Sequence, residues 1–304
     1  MSPSELMSSA ASLAPHTPES SSRAALTARR KAFRTLHERG CFVIPNPWDV
    51  GSARYLQHLG FPALATTSAG FAFSQGLPDS DDVDAAARDR NLAYIASIAA
   101  AVDLPVSADF MSGYGLEPGD VAESVTRCVA TGVAGLSIED STGDPSAPLY
   151  ELSVAVDRVR AARQAIDQSG GDVLLTARAE CYHVGLPNPL PEAVRRLQAY
   201  ADAGADVLFA PGPQTPAEIE ALVKAVAPKP INLLVVRDVG LSVDAIGALG
   251  VRRISVGGAL ALAAWTGFIH AAQTLKSTGS FAGLANLVPY PEINSLFATG
   301  RPQR

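Results

Sequence analysis

Short apolar stretches alternate with longer amphipathic segments along most of this chain. The junction between the two is often a glycine, as at Gly60, Gly132, Gly204 and Gly250, each followed by mainly apolar residues. Glycine readily adopts the left-handed backbone that ends many helices. The pattern therefore predicts helices and short strands in alternation, which is typical of a parallel sheet covered by helices.

Eight of the apolar stretches are predicted to be strands: 42–44, 63–67, 105–109, 135–139, 173–177, 207–210, 231–235 and 254–256. The clearest helical patterns are 83–101, 153–168 and 191–203, and a further one at 259–275 would close the fold. Eight strands with helices between them predict a (β/α)8 TIM barrel over residues 23–280. A doubly wound open sheet is the alternative, but no GxGxxG follows the first strand. Residues 281–304 are expected to form a C-terminal helical extension.

The composition indicates a protein that does not bind nucleic acid or a membrane. Of the 304 residues 47% are hydrophobic, and the net charge of -6 disfavours polyanionic partners. No apolar run is long enough to cross a bilayer. The three cysteines, Cys41, Cys128 and Cys181, are odd in number and form no CxxC pattern, which favours a reducing cytoplasm.

The first 22 residues are rich in Ser, Ala and Pro and are predicted to be a disordered tail. Several arginines follow, from Arg23 to Arg34. A basic first helix is the simpler interpretation of these arginines, and a transit peptide is the alternative.

Carboxylates stand where two neighbouring strands end. Asp109 closes one strand, and Glu139 and Asp140 close the next. The carboxyl ends of parallel barrel strands meet at one rim, where such barrels carry their chemistry. Oxygen ligands gathered there suit a hard divalent cation.

Six motifs occur in the order expected of one family, and five of them stand at predicted strand ends. They are Asn46-Pro47-Trp48-Asp49, Thr66-Thr67-Ser68-Ala69-Gly70, Gly76-Leu77-Pro78-Asp79, Ala108-Asp109 before Gly113-Tyr114-Gly115, Ile138-Glu139-Asp140, and Ala177-Arg178-Ala179-Glu180. In these motifs the chain resembles the isocitrate lyase/phosphoenolpyruvate mutase superfamily, in its phosphonomutase-like branch, over about residues 34–275.

The resemblance implies a Mg²⁺ or Mn²⁺ ion with Asp109 as its direct ligand and Asp79 and Glu139 holding metal-bound water. Asp79 as a turn or cap residue and Glu139 as a buried ion-pair partner are the alternatives. The chain departs from the family at Met111, where relatives usually have another carboxylate. A thioether is a poor partner for water on magnesium, so weak metal binding, or none, is expected.

The resemblance also implies that Arg178 holds the substrate carboxylate and acts with Glu139 in catalysis. A salt bridge from Arg178 to Glu180 or Glu139 is the alternative. The remaining predicted substrate-binding residues are Trp48, Thr67, Ser68, Ala69, Tyr114 and Asn232. For Asn232, tying loops together is the alternative.

The loop after Glu139 lacks the groups that define the best-known family reactions. Isocitrate-cleaving relatives carry Lys-Lys-Cys-Gly-His there, and C–P mutases carry Lys and Asn. This chain offers Ser141, Thr142, Asp144 and Tyr150 instead. Standard isocitrate cleavage and standard phosphonomutase chemistry are therefore both disfavoured.

Cys181 and His183 follow Arg178 and would allow a nucleophilic mechanism. No third orienting group is evident, so a structural or pocket-lining role is favoured. The other histidines, His16, His37, His58 and His270, are assigned no chemistry.

These observations predict a metal-dependent lyase that acts on a small 2-oxo or 2-hydroxy dicarboxylate through an enolate, resembling oxaloacetate decarboxylase. A C–P bond hydrolase or mutase is one alternative, and a diverged member with weak or no metal dependence is another. The expected partner is a small-molecule carboxylate. The resemblance further implies a homotetramer, a dimer of dimers that exchange their terminal helices.

Overall fold

The computed structural model describes residues 18–80, 84–170, 172–213 and 215–299. Most of the predicted N-terminal tail, residues 1–17, lies outside this range. The first helix, α1, covers Pro18–Leu36, so the last five residues of the predicted tail are helical.

Eight strands form one sheet, and every neighbouring pair in it is parallel. They are β1 Phe42–Ile44, β2 Leu64–Ala65, β3 Val106–Asp109, β4 Gly135–Glu139, β5 Leu174–Arg178, β6 Val207–Phe209, β7 Ile231–Leu234 and β8 Arg253–Ser255. Their order is β1-β8-β7-β6-β5-β4-β3-β2. The amide of Ala65 donates to the carbonyl of Pro45 at 3.1 Å, which joins the two outer strands. The predicted (β/α)8 barrel is confirmed.

Helices alternate with the strands around the barrel. They are α2 Val50–His58, α3 Ser68–Ser74, α4 Ala85–Ala101, α5 Pro118–Ala130, α6 Leu152–Gln168, α7 Pro189–Asp202, α8 Pro216–Val226, α9 Val243–Ala248, α10 Ala259–Thr278 and α11 Tyr290–Thr299. The predicted helices 83–101, 153–168 and 191–203 correspond to α4, α6 and α7, with ends that differ by at most two residues; residue 83 itself lies outside the described range. The predicted C-terminal extension contains α11. No helix in the described part of the chain combines the length and the apolar character needed to span a membrane.

Helix α1 closes the N-terminal end of the barrel. The fully buried Phe33 ring lies so close to Gly135 that a Cβ there would come within 2.7 Å of it. Arg29 donates to the carbonyls of Ala99 and Val102, at the end of α4. Guanidinium groups bind helix C-termini well because the carbonyls there lack helical partners. The basic residues of the N-terminal segment thus hold α1 against the barrel.

Strand register brings the predicted site residues to the opposite end of the barrel. Glu139 is paired with Arg178, and Asp109 with Ser137, at the carboxyl ends of β3, β4 and β5. The opposite charges of β4 and β5 are therefore neighbours in the sheet. This arrangement places the acids and the arginine at one rim, as parallel pairing requires.

The last third of the structure exposes an apolar surface, here called the C-terminal apolar face. It comprises Leu262, Trp265, Phe268, Ile269, Phe281 and Leu287, which are 37–71% exposed. Contiguous apolar surface of this kind commonly marks an interface. Within the chain, α11 packs on α2, where the Phe297 ring lies beside Gly51.

We expect the C-terminal apolar face to be buried between copies of this chain, in a tetramer. Sedimentation velocity should give a mass of about four chains at micromolar concentration. Phe268→Glu should lower that mass, because a carboxylate at a desolvated contact is costly. Leu59→Glu, at a leucine outside this face that is 54% exposed, is the control and should leave the mass unchanged. A wild-type mass equal to one chain would contradict the prediction.

Candidate active site

A cavity of about 260 Å³ opens at the carboxyl ends of the strands. Seven of the predicted site residues line it: Thr67, Ser68, Ala69, Asp79, Asp109, Arg178 and Asn232. His183 lines it too. Glu139 is only 6% exposed and reaches the site through Arg178.

Arg178 is the centre of the polar network. Its Nη1 lies 2.9 Å from Glu139 Oε2 and 3.3 Å from Asp109 Oδ1, and its Nε donates to Glu180 Oε1 at 2.6 Å. The salt bridges offered as the alternative for this arginine are therefore present. No described residue accepts a hydrogen bond from Nη2, which leaves that side of the guanidinium for a ligand.

The network holds more negative than positive charge. Burial opposes the charged form of Arg178, but Glu139, Glu180 and Asp109 outweigh it, and the pKa of Arg178 lies above its ordinary value. Burial raises the pKa of Glu180 despite its contact with Arg178. One Glu180 oxygen, Oε2, is buried without a hydrogen-bond partner. Three carboxylates around a single guanidinium favour the entry of a further cation.

Asp109 is oriented by the neighbouring strand and helix. Its Oδ2 accepts from the amide of Ser68 at 3.1 Å, at the first turn of α3. Its own amide donates to Thr66 Oγ1 at 2.8 Å. The N-terminus of a helix favours negative charge, so α3 helps to hold the Asp109 carboxylate in place.

The polar groups expected to bind substrate from the start of α3 already have partners within the chain. The Thr67 hydroxyl caps α3 by accepting from the amide of Gly70, and the Thr67 amide donates to the Tyr94 hydroxyl at 3.3 Å. The amide of Ser68 is bonded to Asp109. These residues therefore shape the cavity wall and position Asp109.

Asn232 is used within the barrel. Its amide nitrogen donates to Ser255 Oγ at 2.9 Å, and its oxygen accepts from Arg253 Nε at 2.8 Å. These bonds join β7 to β8, so Asn232 has a structural role, although it ties strands together and not loops.

Sequence reasoning assigned no site role to several residues that line the cavity, among them Asn46 and Arg253. Asn46 accepts from the amides of Val256 and Gly257 and donates to the carbonyl of Thr66. It thereby joins the first, second and last strands. In the sequence, the feature that could have indicated this role is the position of Asn46 shortly after the first predicted strand.

Trp48 and Tyr114 do not line this cavity. Trp48 lies in a separate apolar groove with Trp265 and Phe268 of α10. Tyr114 is buried and accepts from Asn91 Nδ2 at 2.8 Å. The backbone of Tyr114 is left-handed, with φ of 52°, and Tyr114 lines a neighbouring side cavity instead.

Met111 lies in a side cavity of about 160 Å³ next to Asp79, which also lines the main cavity. Its backbone φ is 51°, a conformation that Asp and Asn tolerate better than most residues. The backbone there is thus compatible with the carboxylate that Met111 replaces.

The donor set suits a water-rich magnesium or manganese site. Asp109, Glu139 and Asp79 offer oxygen ligands, which these ions prefer. No cluster of three or more His, Cys, Asp or Glu side chains suited to a metal ion occurs among the described residues. A magnesium ion held by one or two carboxylates and several waters needs no such cluster.

The loop expected to gate the site is folded on itself. Thr142 Oγ1 donates to the carbonyl of Ala147, and Asp144 accepts from the amide and hydroxyl of Ser146. Ser141 is bridged to Leu149, and the ring of Tyr150 lies 4.1 Å from the Arg158 guanidinium carbon. None of the four candidate groups of this loop is among the described residues that line the cavity.

The structure separates Cys181 from His183. His183 lines the cavity, whereas Cys181 is fully buried in the hydrophobic core. Burial raises the pKa of the Cys181 thiol to about 12. Only a thiolate is a good nucleophile, so Cys181 is a core residue.

A second buried network, centred on Asp140, supports the backbone of the site. Asp140 Oδ2 accepts from the Tyr200 hydroxyl and from Arg196 Nη1, the latter at 3.0 Å. Asp140 Oδ1 accepts from the amide of Glu180 at 2.8 Å. Asp140 thereby fixes the backbone of the residue that holds Arg178.

Asp140→Asn should destabilise the fold by about 3–5 kcal/mol, because it removes the more buried of the two carboxylates that pair with Arg196, Asp140 and Glu192. Urea unfolding would measure the loss. Asp157→Asn is the control, since the exposed Asp157–Arg160 pair should contribute less than ~1 kcal/mol. Equal losses in the two variants would contradict a supporting role for Asp140.

Comparison with known proteins identifies several relatives of this chain. An uncharacterized protein of Mycobacterium tuberculosis is 34% identical over 265 residues, which cover 87% of this chain and 95% of that protein. The 2-methylisocitrate lyase of Escherichia coli is 32% identical over 59% of this chain and 60% of its own length. The oxaloacetate decarboxylase of Paraburkholderia xenovorans is 30% identical over 66% of both chains.

Solved structures agree with these sequence relationships. A Burkholderia cenocepacia protein named as a candidate lyase/mutase is 46% identical, with a TM-score of 0.85, over 90% of this chain and 97% of that one. Phosphonopyruvate hydrolase, solved with oxalate and Mg²⁺, is 25% identical with a TM-score of 0.77, over 89% and 95% of the two chains. The phosphoenolpyruvate phosphomutase family model matches residues 33–276. The chain is therefore a member of the phosphoenolpyruvate phosphomutase family, within the isocitrate lyase/phosphoenolpyruvate mutase superfamily.

Proposed function

We propose that this protein is a metal-dependent carbon–carbon lyase that acts on small 2-oxo or 2-hydroxy dicarboxylates. The observation that carries the proposal is Arg178, held by three carboxylates beside a cavity of about 260 Å³. That volume is below the usual range for drug-sized ligands and suits a small acid. A 2-methylisocitrate lyase and oxaloacetate decarboxylases are among its relatives.

Asp109 would hold the metal directly, with Asp79 and Glu139 bonded to water on the metal. A bound Mg²⁺ or Mn²⁺ would supply Lewis acidity toward the 2-oxo oxygen. The excess of negative charge around Arg178 supports this assignment, because a divalent cation would balance it.

Arg178 would act on the substrate through its free Nη2 side. Glu139, Asp109 and Glu180 hold its Nε and Nη1, so the guanidinium is positioned before the substrate arrives. A donor fixed in this way stabilises negative charge where it develops, at little cost in reorganisation.

Two reactions fit this arrangement. In decarboxylation, the bond to the distal carboxylate breaks, CO₂ leaves, and the resulting enolate takes up a proton. In cleavage of a 2-hydroxy diacid, the C2–C3 bond breaks and the hydroxyl becomes the 2-oxo group. C3 then gains a proton, giving a 2-oxo acid and a second carboxylic acid. Both pass through an enolate-like anion.

C–P bond chemistry is the alternative within the family. It is less well supported, because none of the polar groups of the loop 141–150 (Ser141, Thr142, Asp144 and Tyr150) is among the described residues that line the cavity.

We further propose a cytoplasmic homotetramer. Free Cys41, Cys128 and Cys181 suit a reducing compartment, and the C-terminal apolar face offers the subunit contact.

Asp109→Ala should abolish Mg²⁺ or Mn²⁺ binding in calorimetric titration, and Met111→Asp should tighten it about tenfold. The gain is that of one hydrogen bond to a charged group. Asp103→Ala, at an exposed aspartate before β3, is the control. Unchanged metal binding in Asp109→Ala would place the site elsewhere.

Arg178→Lys should lower kcat/KM by roughly tenfold to a hundredfold, or ~1.5–3 kcal/mol, because lysine keeps the charge but not the planar donor geometry. Cys181→Ser should change kcat/KM little. Oxaloacetate and a panel of substituted malates are the substrates to assay. A nearly inactive Cys181→Ser beside a fully active Arg178→Lys would overturn the enolate mechanism.

A further inference from the structure

A second guanidinium, that of Arg253, faces the same cavity from inside the barrel. Arg253 belongs to β8 and is only 5% exposed, yet it lines the cavity. Its Nε donates to Asn232 Oδ1 at 2.8 Å, and its Nη2 donates to Thr176 Oγ1 at 3.2 Å. Its Nη1 lies 3.5 Å from His37 Nε2.

All three partners of Arg253 are neutral. The amide and hydroxyl carry no charge, and His37 is neutral as well. His37 Nδ1 lies 2.8 Å from the carbonyl of Phe33, which can only accept, so Nδ1 carries the proton and Nε2 accepts from Arg253. Burial, with a contribution from Arg253, lowers the pKa of His37 to about 3.

Arg253 therefore stands in the barrel as a cation without a counter-ion among the described residues. Burial lowers the pKa of its guanidinium to about 9, which still leaves it charged at neutral pH. An unpaired buried charge costs several kcal/mol. Of the five N–H groups of a guanidinium, three point to the acceptors named above, so two have no acceptor among the described residues.

The other buried arginines do not share this arrangement. Arg196 is paired with Asp140 and Glu192. Arg158 lacks a carboxylate, but its Nη atoms donate to the carbonyls of Leu116 and Ser112 at 2.7 and 2.6 Å, and it does not line the cavity. Only for Arg253 do an unpaired charge, free N–H groups and an open cavity coincide.

The position of Arg253 complements that of Arg178. Thr176, which accepts from Arg253, lies two residues before Arg178 on β5, on the same face of the strand. Two residues of strand span about 6.6–7 Å, so Arg253 lies about one layer of side chains deeper than Arg178. The cavity that both arginines line also carries hydroxyl groups, from Thr66, Ser107, Ser137 and Ser255.

We propose that Arg253 binds the second carboxylate of the substrate at the floor of the cavity and so selects dicarboxylates over monocarboxylates. The proposal rests on the proposed function, because it assumes that the first carboxylate binds at the Arg178 end. His37, Asn232 and Thr176 position the guanidinium, and its two remaining N–H groups meet the ligand.

The test compares the binding of succinate and oxalate by calorimetry in magnesium-containing buffer. Succinate is an uncleavable four-carbon diacid that reaches the floor, whereas oxalate is too short to do so. Arg253→Met should weaken succinate binding by about tenfold to a hundredfold and change oxalate binding by less than about threefold. Arg252→Met, at the partly exposed arginine directly before β8, which donates to the carbonyl of Gly40 and does not line the cavity, is the matched control and should bind both as wild type does.

Asn232→Asp provides a second variant if Arg253→Met does not fold. The new carboxylate would stand where Oδ1 now accepts from Arg253 at 2.8 Å. It would neutralise the guanidinium without removing it, so succinate binding should fall while oxalate binding is kept.

Two results would overturn the proposal: wild-type protein that does not bind succinate, or variants that lose succinate and oxalate affinity equally. The outcome is separable from that of the proposed function. A wild-type protein without lyase activity that still binds succinate through Arg253 would refute the function alone. An active lyase with unchanged succinate binding in both variants would refute the role of Arg253 alone.

Discussion

The contact between one guanidinium and three carboxylates is the interaction on which this site depends. Arg178 meets Glu139 and Asp109 through Nη1 and Glu180 through Nε. Such a buried cluster is stable only while each member keeps its partners. The barrel satisfies this condition by setting β3, β4 and β5 side by side, so that their ends converge without a long loop.

The surrounding structure serves to keep that cluster rigid. Helix α3 directs an amide at Asp109, and Asp140 holds the backbone of Glu180. Asp140 is in turn fixed by Tyr200 and Arg196. Catalytic groups held by a second layer of hydrogen bonds need little reorganisation during reaction, which is consistent with the lyase function proposed for this cavity.

The cavity has opposite electrostatic character at its two ends. Its mouth carries an excess of carboxylate, which favours a cation, while its floor carries Arg253 with neutral partners only. Helix α1 contributes to this division, since His37, the residue directly after it, contacts Arg253. The helix that closes the barrel thus also positions a group facing the cavity.

The sequence by itself determined the barrel and the acidic rim. Alternating apolar strands and helices, punctuated by glycine, specify eight parallel strands, and parallel pairing then requires Asp109, Glu139 and Arg178 to share one end. The sequence did not determine the direction of side chains within loops. Gly113 and Gly115 indicate a turn after β3, but the sequence did not show that Met111 and Tyr114 adopt a left-handed backbone within it.

Only the tertiary structure distinguished Arg252 from Arg253. The two adjacent arginines look alike in the sequence, and strand alternation says only that they face opposite sides. Pairing of β8 with β1 and β7 decides which side is the barrel interior. The physical reason is that burial and charge balance depend on contacts between distant strands, whereas the hydrophobic pattern that specifies the strands is local.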